Sequence, residues 1–164
     1  MSIFSDISLV AKNHTTYDVG LLQARGYRTL KHMTAHVLRP EGLTTTEWAI
    51  IGIISHHPKG VRTTKISEAL SVQAPLVSRL LIKTEASGWI TIEPGEDKRE
   101  RVVSLSKKGL KNISRIEKNV REGLAPLLKG VSAKDLAGYL RTLDTISKNG
   151  KGLPPAVFED YLPD

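Results

Sequence analysis

The chain has 164 residues, 40% of them apolar and 25% charged, which is the composition of a globular protein long enough to bury a core of its own. Its formal net charge of +7 favours a polyanionic partner. Because the chain contains no cysteine, disulfides, thiolate metal sites and cysteine-based redox sensing are excluded.

Two features of the sequence bear on the location of the protein. No Lys or Arg precedes Lys12, and the N-terminal apolar residues form no run of signal-peptide length. No segment approaches the ~18 consecutive apolar residues of a membrane span. We therefore expect a cytoplasmic protein with no membrane partner. Residues 1–16 are expected to form a short arm and residues 150–164 a tail, without an assigned role for either.

Two helices are predicted in the first third of the chain. Apolar residues recur at steps of three and four over 17–38, which predicts an amphipathic helix that ends at the Pro- and Gly-containing segment 39–42. Thr44 and Glu47 then form the pattern of a capping box. This pattern predicts a second helix that continues to Pro58.

The middle of the chain predicts two further helices and a hairpin. A short helix is expected from Lys65 to Leu70, and another is opened by Ala74-Pro75, because proline favours the first turn of a helix. Segments 89–92 and 102–105 have the β-branched composition of strands and are joined by a charged link. This order supplies one helix for a DNA major groove and one hairpin tip for a phosphate backbone or minor groove.

Two late helices, over 107–129 and 133–148, carry apolar stripes that exceed what one small domain can cover. Such stripes are most simply buried against a second copy of the chain. The predicted fold class is therefore mainly α with a small β-hairpin: a winged helix-turn-helix DNA-binding region over 44–106, plus N- and C-terminal dimerisation helices over 17–43 and 107–149.

The helix opened by Ala74-Pro75 is predicted to have one buried and one outer face. At about 100° per residue, Val77, Leu81 and Thr84 share a side, and Arg79 lies opposite. An arginine there can bind guanine or a phosphate, although an ordinary surface helix with one solvated arginine has the same pattern. The candidate DNA-binding residues of this segment are Gln73, Pro75, Leu76, Ser78, Arg79 and Lys83.

The hairpin link carries the second group of candidates. Asp97 lies two residues before Arg99 and can orient its guanidinium towards a minor groove. Mixed charge in a solvated hairpin also serves solubility alone, so both interpretations remain open for these residues. The candidate DNA-binding residues here are Asp97, Lys98, Arg99 and Arg101.

Five segments in order carry a resemblance to a known family. They are Leu43-Thr44 with Trp48, Val77-Ser78-Arg79-Leu80, Glu85-Ala86-Ser87-Gly88-Trp89-Ile90, Asp97-Lys98-Arg99 and Val103-Ser104-Leu105-Ser106-Lys107-Lys108-Gly109. In these segments the chain resembles the MarR family of winged-helix transcription regulators, which implies a single MarR-type domain over 1–164. The resemblance also implies a homodimer on a pseudo-palindromic operator in double-stranded DNA, usually a repressor, released by a small effector. Thr84 departs from the family by replacing a usual leucine.

A candidate ligand site involves residues of the first two helices. His32 and His36 are four residues apart on the first helix, and together with Trp48 they are candidate wall residues for a small anionic aromatic effector. The same histidine spacing can hold a divalent metal, but a metal-responsive repressor needs further ligands that the sequence does not identify. We therefore predict no metal site and no cofactor.

Two other classes of function are alternatives to a DNA-binding regulator. No Gly-rich phosphate loop, nucleophile elbow or ligand-spaced acidic cluster occurs, so we do not expect an enzyme. A winged-helix protein-interaction module has the same fold, but it has no need for Arg99 and Arg101 beside an outward Arg79. The hairpin therefore favours DNA.

Overall fold

The computed structural model describes residues 15–95 and 100–150. They fall into two compact units, one ending at Leu127 and the other beginning at Leu128. The elements of the first unit are α1 (Thr16–Leu38), α2 (Thr45–Ser55), β1 (Val61–Arg62), α3 (Thr63–Leu70), α4 (Ala74–Ala86), β2 (Ile90–Pro94), β3 (Arg101–Leu105) and α5 (Lys107–Leu124). The second unit contains α6 (Ala133–Asn149). The predicted class, mainly helical with a small antiparallel sheet, is confirmed.

The predicted helix starts are confirmed by their caps. Thr44 Oγ1 accepts from the Glu47 N–H at 3.2 Å, and the Glu47 carboxylate accepts from the Thr44 N–H at 2.8 Å, which completes the capping box of α2. Ser106 caps α5 by accepting from the Gly109 N–H, and Ser132 caps α6 in the same way. Each cap satisfies backbone donors that the first turn of a helix leaves without a partner.

Two helix ends were predicted too late. The structure ends α2 at Ser55 rather than at Pro58, because the residue before a proline disfavours the α conformation. It ends α5 at Leu124, and a short 3-10 helix over Ala125–Leu128 replaces the last predicted turn. Pro126 lies in that segment, and it lacks the N–H that an α-helix requires.

The sheet has three antiparallel strands in the order β1-β3-β2, so β2 lies at an edge. Ile92 pairs with Val103 and Pro94 with Arg101, which extends the predicted hairpin by a residue or two on each strand. The two-residue strand β1 was not predicted, because two residues carry no readable alternation. Its Val61 pairs with Val103 in the centre of the sheet.

The core lies between α2, α4 and the sheet. Its largest fully buried side chains include Trp89, Ile50, Ile54, Leu81 and Val103. Among the described residues, every buried side-chain nitrogen or oxygen has a hydrogen-bond partner. The core therefore presents a fixed platform under one face of α4.

Helix α5 packs back along α1. A Cβ added at Gly123 would lie 2.7 Å from a methyl of Val37, so the two helices approach closely at that point. Arg115 of α5 also donates two hydrogen bonds, at 2.7 and 3.0 Å, to the carboxylate of Glu41 just after α1. These bonds lower the pKa of Glu41, and they raise the pKa of Arg115.

Candidate nucleic-acid interface

Helix α4 has the two faces that its sequence predicts. Val77, Leu81 and Thr84 are buried against the core, whereas Pro75 and Arg79 are exposed. The exposed set on this helix and its cap also includes Gln73, Ser78, Ile82 and Lys83, and Leu76 is half-buried. The outer face thus combines polar, basic and apolar groups on one straight element.

The buried hydroxyl of Thr84 has a hydrogen-bond partner. Its side chain is fully buried, and its Oγ1 donates to the Leu80 carbonyl one turn earlier at 2.7 Å. A buried hydroxyl costs stability only when it lacks a partner. The departure from the family's usual leucine is therefore accommodated by a local hydrogen bond, and the outer face of α4 keeps its orientation.

Helix α4 begins after Gln73, whose side chain makes no capping hydrogen bond to the first turn within the described residues. The Gln73 carbonyl accepts from the N–H groups of Leu76 and Val77, while Pro75 occupies the first turn without a donor. The N-terminus of a helix carries a partial positive charge and favours anions. This end of α4 is thus electrostatically suited to a phosphate.

Arg79 lies in the middle of the exposed face. Within residues 15–95 and 100–150, its guanidinium takes part in no ion pair or hydrogen bond. A guanidinium with all its donors available can bind a base edge or a phosphate in a bidentate manner.

Lys83 differs from Arg79, because its ammonium lies 3.3 Å from the carboxylate of Glu47. Glu47 is buried, which raises its pKa, but hydrogen bonds from Thr44 and the ion pair with Lys83 outweigh this effect and lower the pKa overall. Lys83 thus joins α4 to the start of α2. Its side chain is still 62% exposed, and its contact with DNA stays a prediction.

The hairpin of β2 and β3, which we call the wing, is described as far as Gly95 and again from Glu100. The Gly95 N–H donates to the Glu100 carbonyl at 2.8 Å, which continues the pairing towards the tip. Arg101 is exposed, and Arg62 of β1 forms an ion pair of 3.0 Å with Glu100. Asp97, Lys98 and Arg99 lie outside the described residues, so their predicted roles stay predictions.

Two contacts around the end of α4 were not predicted. The Ile92 N–H donates to Glu85 Oε1 at 2.7 Å, and Ser106 Oγ donates to the Gly88 carbonyl at 2.6 Å. Both cross the chain reversal at Gly88, which has a φ of 77° that favours glycine. The glycine was visible in the sequence, but the partners joined around it were not, because they depend on the geometry of the reversal.

Lys108 secures the same end of α4 from α5. Its ammonium lies 4.3 Å from the centre of the Trp89 ring and donates to the Ser87 carbonyl at 2.9 Å. The carbonyls at the end of a helix favour a cation. Lys108 therefore links the start of α5 to the end of α4 and to the start of β2.

The candidate ligand residues have different environments. His32 and His36 are exposed on α1, whereas Trp48 of α2 is half-buried against the core. Within the part of the chain that the structure describes, no group of three or more His, Cys, Asp or Glu side chains could hold a metal ion. No helix among those residues is both long and apolar enough to cross a membrane.

The comparison with protein families addresses the segment that contains α2, α3, α4 and β2. A family model described as the MarR family matches residues 41–100. The winged-helix region of this chain is therefore similar to the MarR family. The match confirms the resemblance of the four sequence segments that lie within residues 41–100.

Solved structures extend the likeness to the helical ends of the chain. A MarR-family transcriptional regulator from Rhodococcus sp. RHA1 has a TM-score of 0.74 at 15% identity, covering 82% of this chain and 96% of that one. CouR from Rhodococcus jostii RHA1, bound to p-coumaroyl-CoA, has a TM-score of 0.73 at 14% identity, covering 89% and 96%. A mutant MarR from E. coli, complexed with operator DNA, has a TM-score of 0.70 at 19% identity, covering 94% and 100%. At these identities the likeness establishes the winged-helix fold.

Proposed function

We propose that this chain is a sequence-specific double-stranded DNA-binding transcription regulator, a homodimeric repressor that a small effector releases from a pseudo-palindromic operator. The observation that carries the proposal is the exposed face of α4. It presents Arg79, which has no ion pair or hydrogen bond to the other described residues, between the N-terminus of the helix and a wing that carries the exposed Arg101. A helix of 13 residues fits a major groove, and a hairpin that carries basic side chains fits the adjacent backbone or minor groove.

The dimer rests on apolar side chains that the described structure leaves exposed. On α1, Tyr17 is 74% and Tyr27 58% exposed, and Val19 and Leu22 are also more than half exposed. On α6, in the other unit, Leu140 and Ile146 are each more than half exposed. Burial of such groups in a second copy would stabilise both chains. Light scattering at micromolar concentration should give twice the monomer mass.

The proposed effector is a small anionic aromatic compound. CouR is described with p-coumaroyl-CoA, an anionic ligand with an aromatic group, and the net charge of +7 favours anions here as well. We place the site beside His32, His36 and Trp48. A salicylate-like compound should raise the melting temperature and weaken DNA binding at millimolar concentration or below, whereas zinc should do neither. Zinc stabilisation that disappears in His36→Ala would favour a metal-responsive repressor instead.

The decisive experiment for the main proposal is a selection of bound duplexes from a random double-stranded pool. A shared inverted-repeat motif should be enriched by the full-length protein, and its half-sites should be about 10 base pairs apart or a multiple of that spacing. The variant Arg79→Ala should enrich a different or weaker motif. If the pool is recovered without enrichment, the winged helix serves another partner, and a protein-interaction module becomes the better account.

A further inference from the structure

We infer that Glu85 is a positioning residue that sets the angle of the wing relative to α4, so that the two DNA-facing parts of the chain act as one rigid unit. This inference rests on the proposed function. It concerns a half-buried carboxylate that accepts a hydrogen bond from a backbone N–H of the wing.

The first observation is the place of Glu85 on α4. Glu85 lies six residues after Arg79 on the same helix, which corresponds to a rise of about 9 Å. Its backbone carbonyl accepts from the Gly88 N–H at 2.7 Å, and its side chain accepts from the Ile92 N–H at 2.7 Å. One residue thus engages both the end of the helix and the strand that leads to the wing tip.

The second observation is the place of Ile92 on β2. This strand lies at the edge of the sheet, with β3 on its other side. Because the Ile92 N–H donates to Glu85, it points away from β3. The next residue with the same orientation is Pro94, which has no N–H to offer. The Ile92 N–H is therefore the last backbone donor of β2 that points away from β3, and Glu85 binds it.

The contact also has favourable chemistry. The bond joins an ionisable carboxylate to a backbone donor in a part-buried environment, and bonds of this kind are stronger than those between neutral groups. The contacts of Ser106 and Lys108 hold the start of β2, whereas the Glu85 bond reaches Ile92, further along the strand. Beyond the pair of Glu93 and Val102 the described wing has two strands, and a two-stranded hairpin is marginally stable by itself. A wing that moves relative to α4 would lose conformational entropy when the wing and α4 bind the same duplex.

The test compares Glu85→Gln with Glu85→Ala in the full-length protein. Both substitutions remove one negative charge, but only glutamine keeps a side-chain oxygen that can accept the Ile92 N–H. The probe is the duplex that the wild-type chain enriches from a random pool, labelled for fluorescence anisotropy. Amide hydrogen exchange at Ile92, measured by NMR, reports the hydrogen bond without reference to DNA.

We expect Glu85→Gln to bind the duplex at least as tightly as the wild type and Glu85→Ala to bind about tenfold more weakly, which corresponds to the loss of one charge-assisted hydrogen bond. In Glu85→Ala, the slope of log K against log salt should fall by about 1 or more, because phosphate contacts of the wing are lost. Arg101→Ala should also cost less affinity in that background than in the wild type. A purely structural role would lower the melting temperature but leave the slope and the Arg101 effect unchanged.

The outcomes separate this inference from the proposed function. If Ile92 exchanges faster in Glu85→Ala but the affinity and salt slope of the two variants are equal, the wing angle does not depend on Glu85 and the inference is wrong. If Ile92 exchange is unchanged, the hydrogen bond itself is contradicted. If the wild type enriches no duplex, the proposed function fails, and with it the role of Glu85 in DNA binding.

Discussion

Lys83 Nζ lies 3.3 Å from the carboxylate of Glu47, so the exposed side of α4 is joined to the capping box that begins α2. The same carboxylate accepts from the backbone N–H and the hydroxyl of Thr44, at 2.8 and 2.7 Å. One buried acid therefore caps the start of α2 and also contacts α4 through Lys83. The outward face of α4 is set by the burial of Val77, Leu81 and Thr84, and the ion pair is consistent with it.

Glu47→Ala should lower the free energy of unfolding by about 1–3 kcal/mol, because it removes the capping-box acceptor and leaves the Thr44 N–H without its partner. Glu47→Gln keeps an acceptor oxygen and should lose less. Lys83→Ala should cost less than about 1 kcal/mol, since a mostly exposed ion pair contributes little. Urea unfolding of the three variants at one protein concentration measures these differences. Equal stability of Glu47→Ala and the wild type would contradict the role of Glu47.

Stability should decrease in acid because of Glu47 and Glu41. Both have a pKa below the ordinary value of 4.5 in the folded chain. In the unfolded chain they bind protons more readily, so their contribution is present above pH 4.5 and is lost as the pH falls through the lower folded pKa. The free energy of unfolding should therefore decrease as the pH is lowered below 4.5. This fall should be shallower in Glu47→Gln and in Glu41→Gln, and an unchanged slope in both variants would refute the assignment.

Gly109 lies where α5 begins against the first residues of the wing. A Cβ at this position would overlap the Trp89 carbonyl oxygen, which accepts from the Ser106 N–H. Gly109→Ala should therefore cost about 1–3 kcal/mol of stability, the usual cost of overpacking. Gly52→Ala is the matched control, because a Cβ there meets nothing within 4 Å and alanine favours the helix. If thermal unfolding places both variants at or above the wild-type melting temperature, α5 does not approach the wing as closely as described.

Arg79→Ala should weaken binding to the selected duplex by about 1–3 kcal/mol if the guanidinium contacts a base. Anisotropy titrations with the selected duplex and with a random duplex distinguish the possible contacts. Loss on the selected duplex alone indicates base recognition, and equal loss on both indicates a phosphate contact. Arg121→Ala removes the same charge from α5 and serves as the control. No loss with either duplex would contradict the assigned outer face of α4.

Much of the fold could be predicted from the sequence because its signals are local. The caps Thr44, Ser106 and Ser132 lie within three residues of the N–H groups that they accept from, and the buried side of α4 follows from a single helical period. The two-residue strand β1 carries no such signal. Helices α2 and α5 end earlier than the apolar periodicity of the sequence predicts, because Pro58 and Pro126 disfavour the α conformation there.

The exposed face of α4 could be predicted from the sequence. The hydrogen bonds that join residues distant in the sequence could not. Arg79 was placed outward by the helical period alone. The bond from Arg115 to Glu41 joins residues 74 positions apart, and the bond from Ile92 to Glu85 depends on the reversal at Gly88. Pairings of this kind are consequences of the folded geometry, so a single sequence does not specify them.

The central claim is that this chain recognises a specific double-stranded DNA sequence. Its most direct test is the ratio of two dissociation constants, measured by anisotropy for the full-length protein with the selected duplex and with a shuffled duplex of the same composition, over a range of salt concentrations. The claim predicts a selected duplex bound about 10³-fold or more tightly near physiological salt, with both affinities falling as salt rises. Equal affinities for the two duplexes at every salt concentration would contradict it.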